Sequence, residues 1–393
     1  MKINFFRFSV IFMLLAVTGS AVAAIDKTTS STLEPLKIPT IAQAEEALLD
    51  IGITPLNDGL HLTDDDDTVF PEVRYAEAIY FSNQLAKTME KSGAWGAIRV
   101  IPSTDVIMDV YITGTVLQSD GEMLDLDMQV YDTSGKKWFT KRYKQKTGKY
   151  AYDRRLKNLG DPFQNLFTRM ANDVLTHREK MSDQEAITLR TISELRFARD
   201  FSPEAFNDHI SENKKGVLSI ERLPAENDAI LQRVQRIRDR DYLYVDTMQD
   251  YYDNFSQQMH LAYQDFRRAS YDSVVKSRQL KKKGNQQIIA GIGAIIAGIY
   301  GRFEGDNSAV RDASTVTAAT GGYIIKSGLQ KKQEAAGFDE SVAEMGASLE
   351  AEIAPQVIQL EDRTVTLTGT VQAQYDQWQE LLQKIYKQER GTL

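Results

Sequence analysis

The chain has 393 residues, 42% of them hydrophobic and 26% charged, with a net charge of −8 and no cysteine. That length and apolar content permit two or three folded domains. The acidic balance argues against general nucleic-acid binding, and the lack of cysteine excludes disulfides and thiolate metal sites.

Met1 to Ala24 reads as a targeting segment. Lys2 and Arg7 give a basic start, Phe8 to Val17 an apolar stretch, and Ala21-Val22-Ala23 a small-residue cleavage site. Cleavage after Ala23 is expected, so residues 1–23 are a predicted signal peptide. Losing the two cations Lys2 and Arg7 takes the net charge from −8 to −10. No cysteine follows the site to carry a lipid. The expected location is the periplasm, peripheral to the outer or inner membrane. Residues 24–40, rich in Thr, Ser and Pro, read as a linker.

Residues 41–150 read as an α/β unit. Ala42 to Asp50 predicts a short helix and Ile51 to Leu60 a strand. Asp64 to Asp67 reads as a solvated acidic loop, without EF-hand spacing. Ala78, Phe81, Leu85 and Met89 recur every three or four residues, which predicts a helix over Glu72 to Ser92, and Gly93 is its natural stop. Strands follow over Ala97 to Ile101, Val106 to Leu117, Met123 to Tyr131 and Lys137 to Tyr143, with turns at Ser119 to Glu122 and Asp132 to Gly135. Leu124, Leu126, Met128 and Val130 alternate with Asp125, Asp127 and Gln129, so the acids are expected on a wet face. The expected arrangement is one helix on an antiparallel meander.

The helix ending near Gly93, the strand ITGTV at Ile112 to Val116 and the D-x-x-G turn at Asp132 to Gly135 carry a resemblance. Residues 40 to 145 resemble the amino-terminal domain of the Tol-Pal propeller protein, and the related domain of curli-secretion channel and flagellar-ring proteins. The resemblance implies a docking or assembly role in the cell envelope. It carries no catalytic residues.

Residues 160–350 read as a helical domain. Asp161 to Ser211 predicts three short helices, with Phe163, Leu166, Phe167, Met170 and Val174 on one stripe. Ser182 to Glu185 fits a capping box, and Ser202-Pro203 a helix start. Pro224 to Lys283 reads as one very long helix or two in series, ~90 Å if unbroken. Its core stripe is Tyr244, Met248, Tyr251, Phe255, Met259, Ala262 and Phe266, and Asp241 marks a candidate break. Lys331 to Glu350 predicts a returning helix. The picture is a helical stalk with a glycine-rich hairpin at its tip.

That hairpin, over residues 286–330, places small residues at every fourth position: Gly293, Ala297, Gly301, Gly305, then Ala309, Ala313, Thr317 and Gly321. Positions four apart stack on one helix face, and a face of Gly and Ala lets another backbone approach closely. The expected packing residues are Gly293, Ala297, Gly301, Gly305, Ala313 and Gly321. The apolar run Ile288 to Tyr300 is 13 residues, short of the ~20 needed to span a bilayer. It reads as a buried hairpin, a re-entrant segment or an oligomer seam. The basic run Lys276, Arg278, Lys281, Lys282 and Lys283 precedes it. Its two readings are a solvated helix end, where cations are favoured, and a contact for anionic headgroups.

In residues 351–393, Val365, Leu367, Gly369 and Val371 are expected on one strand face, with Thr364, Thr366, Thr368 and Thr370 on the other. Trp378, Leu381, Leu382 and Ile385 line a helix. A VTLTGTV strand before an amphipathic helix resembles the second half of a BON domain, over about 35 residues. The resemblance implies a periplasmic module that binds phospholipid surfaces.

No G-x-S-x-G, phosphate-binding loop or dinucleotide fingerprint occurs. His61, His177, His209 and His260 stand apart from one another. Catalytic, cofactor-binding and metal residues are therefore not expected, and no cofactor is. The expectation is an α+β, non-enzymatic, membrane-associated scaffold or assembly protein of the bacterial envelope. Its expected partners are a membrane surface, envelope proteins or further copies of itself. The alternative is a membrane-inserting helical protein that permeabilises or remodels bilayers.

Overall fold

The computed structural model describes residues 33–40, 43–62, 69, 71–152, 160–282, 356–359 and 364–391. The predicted signal peptide, the acidic loop Asp64 to Asp67, the small-residue hairpin, the returning helix and Lys283 lie outside the described residues. No helix among the described residues is long and apolar enough to cross a membrane.

The fold is mixed α+β. Its centre is a five-stranded sheet built from β1 (Ile51–Ile53), β2 (Ile98–Val100), β3 (Val110–Ser119), β4 (Met123–Asp132) and β5 (Lys137–Lys146), in the order β2-β1-β3-β4-β5. β3, β4 and β5 form the expected antiparallel meander. β1 pairs in parallel with both β2 and β3, so the sheet is mixed and not wholly antiparallel. The reason is the long connection after β1. The chain leaves through helix α1 (Pro71–Glu90) and returns in the same direction, as a crossover requires. β1 is also too apolar for an edge: Ile51 and Ile53 are buried. α1 buries Ala78, Phe81, Leu85 and Met89 as its spacing predicts, and Gly93 turns the chain at a φ of +61°.

The expectation that Asp125 faces water is overturned: it is 0% exposed. Arg142 of β5 binds its two oxygens at 2.7 Å each, and Lys144 stands 3.7 Å away. Two cross-strand cations on β5 thus supply the counter-charge that burial of this carboxylate requires.

Helices α2 (Gln164–Arg178), α3 (Asp183–Phe201) and α4 (Pro203–Phe206) follow. The stripe from Phe163 to Val174 joins the core beneath the sheet and α1, so residues on both sides of 150–160 share one apolar interior. The capping box forms: Glu185 N–H donates to Ser182 Oγ at 3.2 Å, and Ser182 N–H donates to Glu185 Oε2 at 2.8 Å. A small hairpin, β6 (Ile210–Glu212) and β7 (Leu218–Ile220), leads on.

Helix α5 (Ala229–Lys282) then runs for 54 residues without a break, about 80 Å. Asp228 caps it by accepting from the N–H groups of Ile230 and Leu231 at 2.8 and 3.0 Å. The stalk expectation is corrected, because α5 lies against the body of the protein. Gln249 accepts the Val100 N–H at 2.5 Å and Asp246 binds Arg99 at 2.6 Å, so α5 covers the outer edge of β2. One half supplies Tyr252, Phe255, Met259, Tyr263 and Phe266 to the core under the sheet. The other half supplies Val234, Ile237, Tyr244, Val245 and Met248 to a second core. Tyr252 and Tyr263 are buried where the sequence stripe placed Tyr251 and Ala262, which are half-buried. The helix serves two neighbours, so its apolar face is wider than one stripe.

The carboxyl-terminal unit is β8 (Gln356–Gln359), β9 (Thr364–Leu367) and helix α6 (Val371–Gly391). The strand ends at Leu367. Gly369 turns at a φ of +101°, and Val371 begins α6, so Gly369 and Val371 do not extend the strand face. Trp378, Leu381 and Leu382 of α6 are buried in the second core with α3 and α5.

Gly121, in the turn between β3 and β4, rests on the α5 backbone. A Cβ there would fall on the Arg267 carbonyl oxygen and lie 2.9 Å from the Tyr271 backbone. Tyr152 also donates to the Gly121 carbonyl at 2.6 Å. Gly121→Ala is expected to destabilise the fold by about 1–3 kcal/mol, as overpacking against an unyielding backbone does. Urea unfolding of parent and variant checks this; equal midpoints would show that the turn moves freely off α5.

Candidate functional site

The six expected hairpin-packing residues, Gly293, Ala297, Gly301, Gly305, Ala313 and Gly321, lie outside the described residues. Of the basic run, the side chain of Arg278 is described. It pairs with Asp120 and Glu122 of the β3–β4 turn, and Lys146 joins Glu122 at 2.9 Å. The Arg278 charge is thus matched by two carboxylates and serves as a tie between α5 and the sheet.

The fold assembles three polar centres that no sequence motif marks. The first is a cleft of about 340 Å³ where the amino ends of β1 and β3 meet α3 and α5. Asp109 forms its floor. Ser193 of α3 donates to Asp109 Oδ1 at 2.5 Å, and the Asp50 N–H donates to Oδ2 at 2.9 Å. Arg238 of α5 donates to Ser193 Oγ at 3.0 Å and to the Tyr242 hydroxyl at 2.6 Å. Arg238 and Arg99 also lie 5.1 and 4.8 Å from the Tyr242 ring centroid. Burial pushes the Asp109 carboxyl up, against its hydrogen bonds, and pushes the Tyr242 phenol up to about 12. Glu194 accepts from Gln235 at 2.5 Å, and Asp239 stands exposed in the lining. Ser193 has no exposed surface. A hydroxyl sealed between Asp109 and Arg238 ties α3, α5 and the sheet together.

The second centre is Asp241, which the sequence marked as a helix break. The helix continues through it. Asp241 instead accepts from Trp378 Nε1 at 3.1 Å, Gln379 Nε2 at 2.7 Å and the Tyr375 hydroxyl at 3.4 Å, all on α6.

The third centre surrounds Arg267 of α5, which is 0% exposed. Its guanidinium carbon lies 4.1, 4.7 and 5.3 Å from the rings of Tyr263, Phe163 and Phe81. Asp161 Oδ1 stands 3.6 Å from Nη1. Asp161 Oδ2 accepts from Tyr80 at 3.0 Å and Gln264 at 2.7 Å, and the Tyr80 hydroxyl meets His260 Nδ1 at 2.7 Å. Tyr263 donates to Glu77 at 2.5 Å, and Glu77 also binds Arg74 at 3.1 Å.

His260 therefore serves this network, His177 stacks on Trp138 at 4.7 Å, and His209 bonds the Arg222 carbonyl at 3.0 Å. Among the described residues no group of three His, Asp or Glu side chains is placed to hold a metal ion. The detectable sequence signals were charges inside apolar stripes, Asp241 beside Tyr244 and Arg267 beside Phe266; their partners lie far away in the chain.

No family model matches the chain, and no curated protein or solved structure shows significant similarity to it.

Proposed function

We propose that the protein is a non-enzymatic scaffold of the bacterial envelope, exported to the periplasm and held at a membrane surface. The observation that carries this reading is helix α5. It covers the edge of β2, ties the β3–β4 turn through Arg278, and seats α6 through Asp241. A rod fastened at both ends sets the relative position of distant surfaces, which is what an assembly module needs. The predicted targeting segment and the envelope-type resemblances within residues 40–145 and 351–393 support the same compartment. In this reading the basic run beyond Arg278 meets anionic lipid, and the small-residue hairpin meets a membrane, an envelope protein or another copy of the chain. Nucleic acid and cofactors have no part in it.

Vesicle flotation tests the membrane contact. Each lysine near an anionic surface contributes ~1 kcal/mol. Changing Lys281, Lys282 and Lys283 together to Gln is therefore expected to weaken binding to phosphatidylserine vesicles by ~100-fold or more. Raising the salt is expected to weaken it as well. Flotation that ignores both changes would remove the membrane from this proposal.

A further inference from the structure

We infer that Asp241 is a proton-operated latch: α6 seats on α5 while this carboxyl is protonated and loosens when it ionises. Asp241 is 1% exposed, and its three side-chain donors all come from α6 and are all neutral: Trp378, Gln379 and Tyr375. A buried carboxylate with no counter-charge in contact is unfavourable, and such a group takes up a proton instead.

The surrounding charges do not compensate it. On α5, Arg238 is the cation whose field reaches Asp241, and its guanidinium is engaged with Ser193 and Tyr242. Arg240 pairs with Glu389 of α6 at 2.7 Å, at the outer rim of the contact. Also on α6, Asp376 accepts from Gln372. Asp105, in the loop before β3, adds negative potential at Tyr375. From α3, Asp200 faces Gln383 with its main-chain carbonyl, at 3.2 Å. Asp109 is linked to Arg238 through the Ser193 hydroxyl.

Burial pushes the Asp241 carboxyl up to about 7, against its three hydrogen bonds. With α6 undocked the group titrates in the ordinary carboxylate range, so the docked state binds more protons between about pH 4 and pH 7. Docking is therefore strongest in acid, weakens as pH rises through that window, and levels off above it. From pH 5.5 to pH 8.5 the docking constant is expected to fall by about 30-fold.

Hydrogen exchange of the full chain reads this directly. After correction for intrinsic exchange, the open fraction of α6 is expected to rise about 30-fold between pH 5.5 and 8.5. Asp241→Asn is expected to flatten that rise, because an amide keeps the shape and still accepts from Trp378 and Gln379. A flat profile in the parent, or an equal slope in Asp241→Asn, would overturn the latch. If the variant does not fold, the ¹³C titration of the Asp241 carboxyl in the unaltered chain decides. A midpoint near 7 supports the latch, and one in the ordinary carboxylate range overturns it. Neither readout depends on export or on lipid.

Discussion

Asp161→Ala is expected to lower the unfolding free energy by about 3–5 kcal/mol, the loss seen when one partner of a buried ion pair is removed. Arg267 is fully buried, and its guanidinium nitrogens make no hydrogen bond among the described residues. The Asp161 carboxylate at 3.6 Å is its nearest counter-charge, and the rings of Tyr263, Phe163 and Phe81 supply the rest. Exposed cation–π contacts contribute about 0.5–1 kcal/mol and desolvated ones about 2, less than the desolvation of a guanidinium. Removing Asp161 also takes one acceptor from the Tyr80 hydroxyl and one from the Gln264 amide, leaving Tyr80 its contact with His260. Urea denaturation of the parent and the variant measures the change. The double variant Asp161→Asn, Arg267→Met is expected to recover much of the loss, because it removes the buried charge itself. A single-variant loss under about 1 kcal/mol would mean that the rings hold the cation unaided.

Trp378→Ala is expected to open α6 while the sheet stays folded. Its indole stacks on Tyr244 with centroids 4.8 Å apart and is 5% exposed. Truncating a buried Trp costs about 3–5 kcal/mol, and here the Asp241 hydrogen bond goes as well. Trp378 packs in the core shared by α3, α5 and α6, whereas α1 and the Phe255–Phe266 half of α5 belong to the other core. Opening is therefore local. Hydrogen exchange is expected to show α6 amides unprotected, with α1, β3 and β4 amides as in the parent. Trp378→Phe keeps most of the apolar area and loses one hydrogen bond, so its expected cost is nearer 1 kcal/mol. Loss of protection across α1 and the sheet in Trp378→Ala would show that the two cores unfold as one.

The elements themselves were legible in the sequence. α1, α2, α3, α5, α6 and the meander β3–β5 follow from spacings of three to four residues or of two, and their ends from Gly93, the Ser182 capping box and Ser202-Pro203. Periodicity is a local property, since one face of a helix or strand meets one environment. The predicted targeting segment, the basic run and the row of small residues are local patterns too, so the envelope reading could be framed without a structure.

Only the tertiary structure decided what those faces meet. β1 has three residues, and nothing in them names β2 and β3 as its parallel neighbours. Asp125 alternates as a wet residue should, yet the register of β5 brings Arg142 over it. Ser193 finds Asp109 across 84 positions of chain and Tyr375 finds Asp241 across 134. A charge within an apolar stripe looks in sequence like an interruption. Whether it becomes a break, an ion pair or a proton-binding group depends on the groups that surround it after burial, because desolvation and hydrogen bonding act between parts of the chain that only folding brings together.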